Sequence, residues 1–360
     1  MTKSMEEFDK ELAKLNIRGQ WQYDALLESL VGGPKPAGEA HIWRWSDIYP
    51  KLLEAGEVMP ESFTARRHLA YTNPGLNTGT TGTILCGMQM VRPGETAWVH
   101  RHSINALRFG VEGDENLYTV VNGERCPMHP NDLVLTPTWN WHDHHNESGA
   151  NGIWLDVLDL PVVAALNQVA FEKLGETTQP LRSSEADYIG NSVDWVRPLW
   201  RNRPTSDLPL RYPWSRVLPS LEKMSADAGS PYDGVILEYV NPENGGPTLA
   251  TLSCTVQLLT PGLETRKHRH TSSAIYYVIE GHGRIIVEGE EFAWGPRDVV
   301  SIPNWAWHQI INDSSSERAI LFAVSDMPML TALGLYREEP ENSVRSTALT
   351  PVPAEALGAS

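Results

Sequence analysis

Hydrophobic and polar positions change their rhythm several times along the chain. Over residues 1–75 apolar side chains recur at helical spacing: Met5, Phe8, Leu12 and Leu15 follow Ser4-Met5-Glu6-Glu7, which reads as a capping box. A second helix is expected near Asp47 to Ala55, and Trp43 and Trp45 read as packing residues that dock this extension on the next unit or on a neighbouring subunit. From 76 to 161 the pattern turns into short alternating runs broken by Gly, Pro, Asn and Asp, which predicts an all-β barrel. Residues 162–245 return to mixed helix and loop, and Leu208-Pro-Leu-Arg-Tyr-Pro213 reads as linker. A second β-rich block fills 246–328, and 329–360 ends in an Ala/Pro/Ser-rich tail expected to stay disordered.

The two β blocks are an internal repeat. A shift of 168 residues superimposes Cys86 on Cys254, Gln89 on Gln257, Pro93-Gly94 on Pro261-Gly262 and His100-Arg-His102 on His268-Arg-His270. After a two-residue difference in one loop, Pro137, Trp139, Trp141, His142 and Asn146 match Pro303, Trp305, Trp307, His308 and Asn312. Six of the twelve histidines therefore occupy repeated positions. The expectation is a mainly β protein with two tandem barrels, an N-terminal helical extension and a mixed helical linker.

Length agrees, since 360 residues exceed what one core usually supports. A formal charge of −16 with no Lys/Arg stripe argues against nucleic-acid binding, and it makes any anionic substrate depend on local positive groups. Three scattered cysteines give no disulfide framework. No apolar run suggests a membrane span, and the N-terminus does not read as a secretory signal, so a cytoplasmic protein is expected.

Chemistry concentrates in Gly94-Glu-Thr-Ala-Trp-Val-His100-Arg-His102 and Trp141-His142-Asp-His144-His-Asn146. Histidines two apart share one face of a strand, so His100, His102 and His142 are candidate metal ligands. Inward core histidines would also fit the spacing, but buried imidazoles must be satisfied, and three so placed rarely serve packing alone. Iron and zinc both suit the set. With no bulge Arg108 faces the same cavity, as a partner for a substrate carboxylate or as half of a structural ion pair. His144 shares the face of His142 and can bond a substrate oxygen and move a proton. Gln89 reads as a substrate contact or a satisfied core glutamine, and Gly87 as room beside a ring or as a strand bulge. Asp156 is a candidate acceptor orienting a ligand imidazole. His145 has the outward parity, and Asn146 reads as a strand-end hydrogen bonder.

These residues carry a resemblance. Both blocks are similar to cupin motifs, except that Ala106 and Ala274 stand where cupins usually have a ligand glutamate. That departure, with Ala65-Arg-Arg-His-Leu-Ala-Tyr-Thr-Asn-Pro-Gly75, Trp154-Leu-Asp-Val-Leu-Asp-Leu-Pro161, Tyr239-Val-Asn-Pro-Glu-Asn-Gly-Gly-Pro247 and Gly334-Leu-Tyr-Arg-Glu338, resembles the gentisate/salicylate 1,2-dioxygenases, a bicupin family that includes 1-hydroxy-2-naphthoate dioxygenases. The resemblance implies Fe(II) on three histidines, O2 as co-substrate and a homotetramer. It also implies cleavage of an aromatic carboxylate between the carboxyl-bearing and hydroxyl-bearing carbons, as in extradiol-type catabolism of aromatic compounds, with a ring-opened oxo-diacid as product. It gives Arg108 and His144 substrate roles and brings one of Arg66 and Arg67 to the pocket, with Arg66 favoured.

The second barrel keeps His268, His270 and His308 as a possible second metal set, yet Tyr276, Ile310 and Thr255 stand where the first has Arg108, His144 and Gly87. It is expected to lack turnover and to serve structure and oligomerisation. Two other readings are a bicupin decarboxylase, for which the glutamate ligand is missing, and a non-catalytic storage or ligand-binding bicupin, for which intact histidine triads would not be expected.

Overall fold

The computed structural model describes residues 3–59, 67–181, 183–184, 210–241 and 244–341. Met1–Pro36 forms a unit of its own. Its helix Met5–Lys14 opens with the expected capping box: Ser4 Oγ accepts from the Glu7 N–H at 3.2 Å, and the Glu7 carboxylate accepts from the Ser4 N–H at 3.0 Å. A short helix, Asp24–Ser29, follows. Trp21 stacks on Phe8 and donates its indole N–H to Asp9 at 3.1 Å. Among the described residues no helix is long and apolar enough to cross a membrane.

The second unit, from Ala37 on, holds two β-barrels, each made of two facing sheets. In the first barrel one sheet runs Arg211–Tyr212, Leu133–Thr136, Ala106–Glu112, Gly152–Leu158, Leu85–Val91, Arg67–Ala70. The facing sheet runs Phe171–Lys173, Thr96–His102, His142–Asn146, Leu117–Val121, Glu124–Pro127, Ser183–Ser184. The second barrel repeats the plan, with Ala274–Glu280, Ala319–Ser325 and Ser253–Leu259 central in one sheet and the His268–His270 and His308–Asn312 strands in the other.

Strand alternation assigns the faces. Cys86, Met88 and Met90 point out of the first barrel, and Cys254, Val256 and Leu258 point out of the second, into one shared core. Phe109 and Phe322 stack in it with centroids 4.0 Å apart, and Tyr277 meets Phe109 edge-on at 5.6 Å. The opposite faces line the barrel interiors, which are treated below.

Two features tie the barrels reciprocally. His41–Trp43, which precedes the first barrel, pairs with Val299–Ser301 of the second, while Arg211–Tyr212, which precedes the second, pairs with Leu133–Val134 of the first. At the seam Asp159 accepts from Thr251 Oγ1 at 2.7 Å and Asp326 accepts from Thr83 Oγ1 at 2.6 Å. Each of these carboxylates also takes the backbone N–H of the residue just before a central strand, Asn105 before Ala106–Glu112 at 2.9 Å and Ser273 before Ala274–Glu280 at 2.8 Å.

The structure changes some expectations. The helix expected near Asp47 to Ala55 extends over Trp45–Val58, and the segment read as a helical extension also supplies the strands His41–Trp43 and Arg67–Ala70. Trp43 stacks on Tyr71 at 4.9 Å and packs against the shared core. Glu338–Pro340, in the stretch read as tail, is a strand paired with His268–His270, while 342–360 lie outside the described residues. Hydrogen bonding to an open sheet edge outweighs local composition there.

Candidate metal centre and substrate pocket

The ligand strands of the first barrel, Thr96–His102 and His142–Asn146, run antiparallel with His100 opposite His142. His100, His102 and His142 are buried, and their ligand nitrogens all lie within 4.8 Å of one another. Each ring is aimed by nearby backbone. Nδ1 of His100, His102 and His142 stands 2.8, 2.8 and 2.9 Å from the carbonyl oxygens of Trp98, Ile104 and Asn140. An Nδ1–H given to a carbonyl leaves the lone pair on Nε2, the tautomer that a metal ligand needs.

His142 Nε2 is buried without a hydrogen-bond partner, a lone pair that a cation would satisfy. Burial, then His100, Arg108 and His102, holds this imidazole well below its ordinary pKa, so it is neutral and able to ligate. The residues present therefore fit a metal ion.

The loop between the ligand strands is held tightly. Trp139 has φ +61°, a left-handed conformation costly for so bulky a residue, and donates its N–H to His102 O at 2.8 Å. Asn140, next in the chain, supplies the carbonyl for His142. Arg101 points outward between the two histidines, 4.5 Å from the Trp141 ring and bonded to Glu172 at 2.7 Å. One strained turn thus connects two of the three ligands.

Arg108 enters from the facing sheet. The expected single strand breaks at Ser103–Asn105, so Arg108 shares no strand with His100 and His102 and faces them across the barrel. It is 1% exposed, donates from Nη1 to Thr136 Oγ1 at 2.6 Å and lies 3.6 Å from Asp156 through Nε. Neither Arg108 Nε nor Asp156 Oδ1 has a hydrogen-bond partner. Burial lowers the guanidinium pKa and Asp156 opposes that shift, so the charge is retained at a cost that a further anion would reduce.

Asp156 corrects the sequence reading. Backbone carbonyls take the ligand Nδ1 atoms, and the carboxylate lies beside Arg108 instead. The reason is register: Asp156 is directly opposite Arg108 in the ladder of the other sheet.

His144 stands beside His142 with ring centroids 5.7 Å apart, and its Nδ1 meets Thr119 Oγ1 at 2.9 Å. Trp154 closes the far side of His144 at 5.3 Å. Gln89 is 1% exposed and its Nε2 has no hydrogen-bond partner. His145 is half-buried and stacks on Tyr118 at 4.8 Å, away from the ligands. Asn146 ties strand ends together, donating to Val91 O and Ala150 O at 2.8 Å each.

Gly87 does not simply leave space. A Cβ there would collide with Leu69 O and come within 2.7 Å of His68 Nε2. The strand Arg67–Ala70 lies close against it, and the His68 ring takes the room. Arg67 is buried and paired with Glu95. Arg66 lies outside the described residues.

Sequence reasoning missed His68, Thr119, Thr136 and Trp154. Thr119 lies opposite His144 and Trp154 opposite Gln89, but only the strand pairing reveals it. The second barrel holds a matching triad, with the ligand nitrogens of His268, His270 and His308 also within 4.8 Å of one another.

Comparison with known proteins agrees with this geometry. The Cupin domain family matches twice, at residues 87–158 and 255–325. The chain is 43% identical over 356 residues to a 1-hydroxy-2-naphthoate 1,2-dioxygenase of Nocardioides sp. (strain KP7), covering 98% of this chain and 92% of that one. It is 38% identical to a 5-aminosalicylate 1,2-dioxygenase of Comamonas sp, covering 93% and 90%. Its fold superposes on the salicylate 1,2-dioxygenase of Pseudoaminobacter salicylatoxidans, solved as an adduct with gentisate, with a TM-score of 0.83 at 29% identity, covering 95% and 96%. Twofold repetition, paired histidine triads and full-length similarity together make this chain a member of the bicupin family of gentisate, salicylate and 1-hydroxy-2-naphthoate 1,2-dioxygenases.

Proposed function

We propose that the first barrel is the active site of an Fe(II)-dependent dioxygenase acting on a salicylate-type acid. The ring opens between the carboxyl-bearing carbon and its hydroxyl-bearing neighbour, both atoms of O2 enter the product, and a ring-opened oxo-diacid results. The observation that supports this reading is that Arg108 and His144 are both buried beside His142, the ligand they share as a neighbour with His100 and His102. His100, His102 and His142 would hold the iron, which supplies redox exchange with O2 and a chelation point for the substrate oxygens. Zinc fits the same imidazoles but exchanges no electrons, so it does not support oxygenation.

Arg108 receives the substrate carboxylate. Its buried guanidinium is held from behind by Thr136 and Asp156, and in a −16 chain it gives an aromatic anion a local reason to enter. His144 is oriented through Nδ1 by Thr119, and its role is to hold the ring hydroxyl and move its proton. Gln89 offers an amide donor to a ring substituent. Burial of all these groups excludes water and strengthens their electrostatics.

A fused-ring substrate, 1-hydroxy-2-naphthoate, is a second reading, favoured by the 43% identical relative. It presents the same carboxylate and ortho oxygen and differs only at the ring wall. The test is O2 uptake by anaerobically Fe(II)-reconstituted protein with gentisate, salicylate and 1-hydroxy-2-naphthoate. Uptake with at least one is expected, and silence with all three overturns the proposal.

A further inference from the structure

The second barrel has a built site of its own. The rings of His268 and His308 are 4.3 Å apart, and those of His270 and His308 4.9 Å. Nδ1 of His270 stands 2.7 Å from Ser272 O and Nδ1 of His308 3.0 Å from Ala306 O, the same device that aims the first triad. His308 is 1% exposed, and its Nε2 has no hydrogen-bond partner. Trp305 repeats the strained turn with φ +62° and donates to His270 O at 2.7 Å. His268 Nδ1 has no hydrogen-bond partner, yet the ligand nitrogens of all three rings lie within 4.8 Å of one another, a convergence that packing alone does not need.

The surroundings are acidic where those of the first triad are cationic. Asp233 lies on a tight turn closed by mutual backbone bonds between Ser230 and Gly234 at 2.7 and 2.8 Å. Arg266 N donates to Pro231 O at 2.7 Å, tying the turn to the approach of the His268 strand, and the Tyr232 ring lies 5.1 Å from that of His268. The Asp233 carboxylate accepts from Ser230 Oγ at 2.8 Å and from Gln257 Nε2 at 3.4 Å, and Gln257 is 1% exposed. Asp233 therefore faces the barrel interior beside the triad. It is not among the atoms that lie within 4.8 Å of one another, so it stands outside the ligand set. Glu338, opposite His270 on the neighbouring strand, adds a second negative group at the rim.

We infer that His268, His270 and His308 form a second divalent-cation site, with Asp233 as acceptor for a water on the ion. This centre takes the cation but not an aromatic carboxylate. Three neutral imidazoles leave the full dipositive charge, which the nearby carboxylates offset. An incoming anion would then meet Asp233, and Tyr276 in place of a guanidinium.

The test is metal stoichiometry of the full chain, stripped and reloaded with Co(II), read by elemental analysis and by the Co(II) absorption bands. Wild type is expected to hold two ions per chain, His308→Ala one, and His142→Ala one. Asp233→Asn, which preserves shape, is expected to weaken one of the two ions about 10–100-fold and leave the other unchanged. One ion per wild-type chain, lost entirely in His142→Ala, overturns the inference, as does retention of both ions in His308→Ala. If His308→Ala does not fold, Asp233→Asn with two ions of unaltered affinity overturns the role given to the carboxylate. Because the readout is ion count and affinity, it stands or fails independently of ring cleavage.

Discussion

The two barrels share a strand plan and a histidine triad, and differ in what faces the triad. Strand pairing gives the equivalences. Arg108 is opposite Val134 and Asp156, and Tyr276 is opposite Val300 and Ala323. Thr119 opposite His144 corresponds to Ile285 opposite Ile310, and Trp154 opposite Gln89 to Leu321 opposite Gln257. Thr136, which holds Arg108, corresponds to Ile302. Five polar positions, Arg108, Thr119, Thr136, His144 and Asp156, are thus matched by Tyr276, Ile285, Ile302, Ile310 and Ala323.

The second interior is accordingly a larger apolar cluster that includes Ile285, Ile302, Ile310 and Leu321. The first has a small one, and a buried arginine with unfilled donor capacity. On the proposed reading, the comparison teaches that a triad serves cation binding in both barrels, while the opposite sheet decides whether an anion can join it. Buried polar groups are costly unless used, so a barrel that keeps five of them around one cavity is spending stability on a ligand.

The largest expected break in the comparison comes from the ligands. His142→Ala should abolish O2 uptake, whereas His308→Ala should leave most of it; equal loss in both would erase the functional asymmetry between the barrels. Next is the guanidinium: Arg108→Ala should lower kcat/KM by about 100-fold or more, in line with ~2–5 kcal/mol for truncating a buried charged partner. Arg108→Lys should recover only part of this, because a point charge cannot engage a carboxylate bidentately. Steady-state kinetics on the best of the three acids decides it.

His144→Ala should cost about 10²–10⁴-fold in kcat as a lost proton carrier. Thr119→Val should cost less, about tenfold, if it acts only by orienting the ring through one hydrogen bond of ~1–1.5 kcal/mol. Equal losses would place Thr119 on the substrate instead. The smallest effect tests the seam. Thr83→Val and Thr251→Val should each cost roughly 1–2 kcal/mol of stability, since each loses its bond to the seam aspartate together with bonds to Ser273 and Thr81 or to Asn105. Urea titrations that give very different values would show the barrels to be unequally coupled.

Much of the site was legible because a triad on strands follows from spacing two, which backbone geometry enforces locally. His100 and His102 could only share a face, and His144 could only share that of His142. Alternation along one strand would put Arg108 on the face of His102, but the chain turns at Ser103–Asn105 and Arg108 lies on the facing sheet. Asp156 was read by residue type as an imidazole partner, but its ladder position puts it against Arg108. Sequence offers Gly87 as room beside a ring or as a strand bulge, but nothing in it says that the strand Arg67–Ala70 presses against it and brings His68 there.

By itself the sequence determined the repeat, the strand-borne histidines, the missing carboxylate at Ala106 and Ala274, and the loss of Arg108 and His144 equivalents from the second copy. These are properties of order and alternation, written along one chain. Only the tertiary structure decided the strand exchange between barrels, the opposition of Arg108 and Asp156, the pairing of Thr119 with His144, and the approach of Asp233 to the second triad. Each depends on which distant strands meet and in what register. A register is fixed by burial of whole faces against one another, a collective choice that no local window of sequence contains.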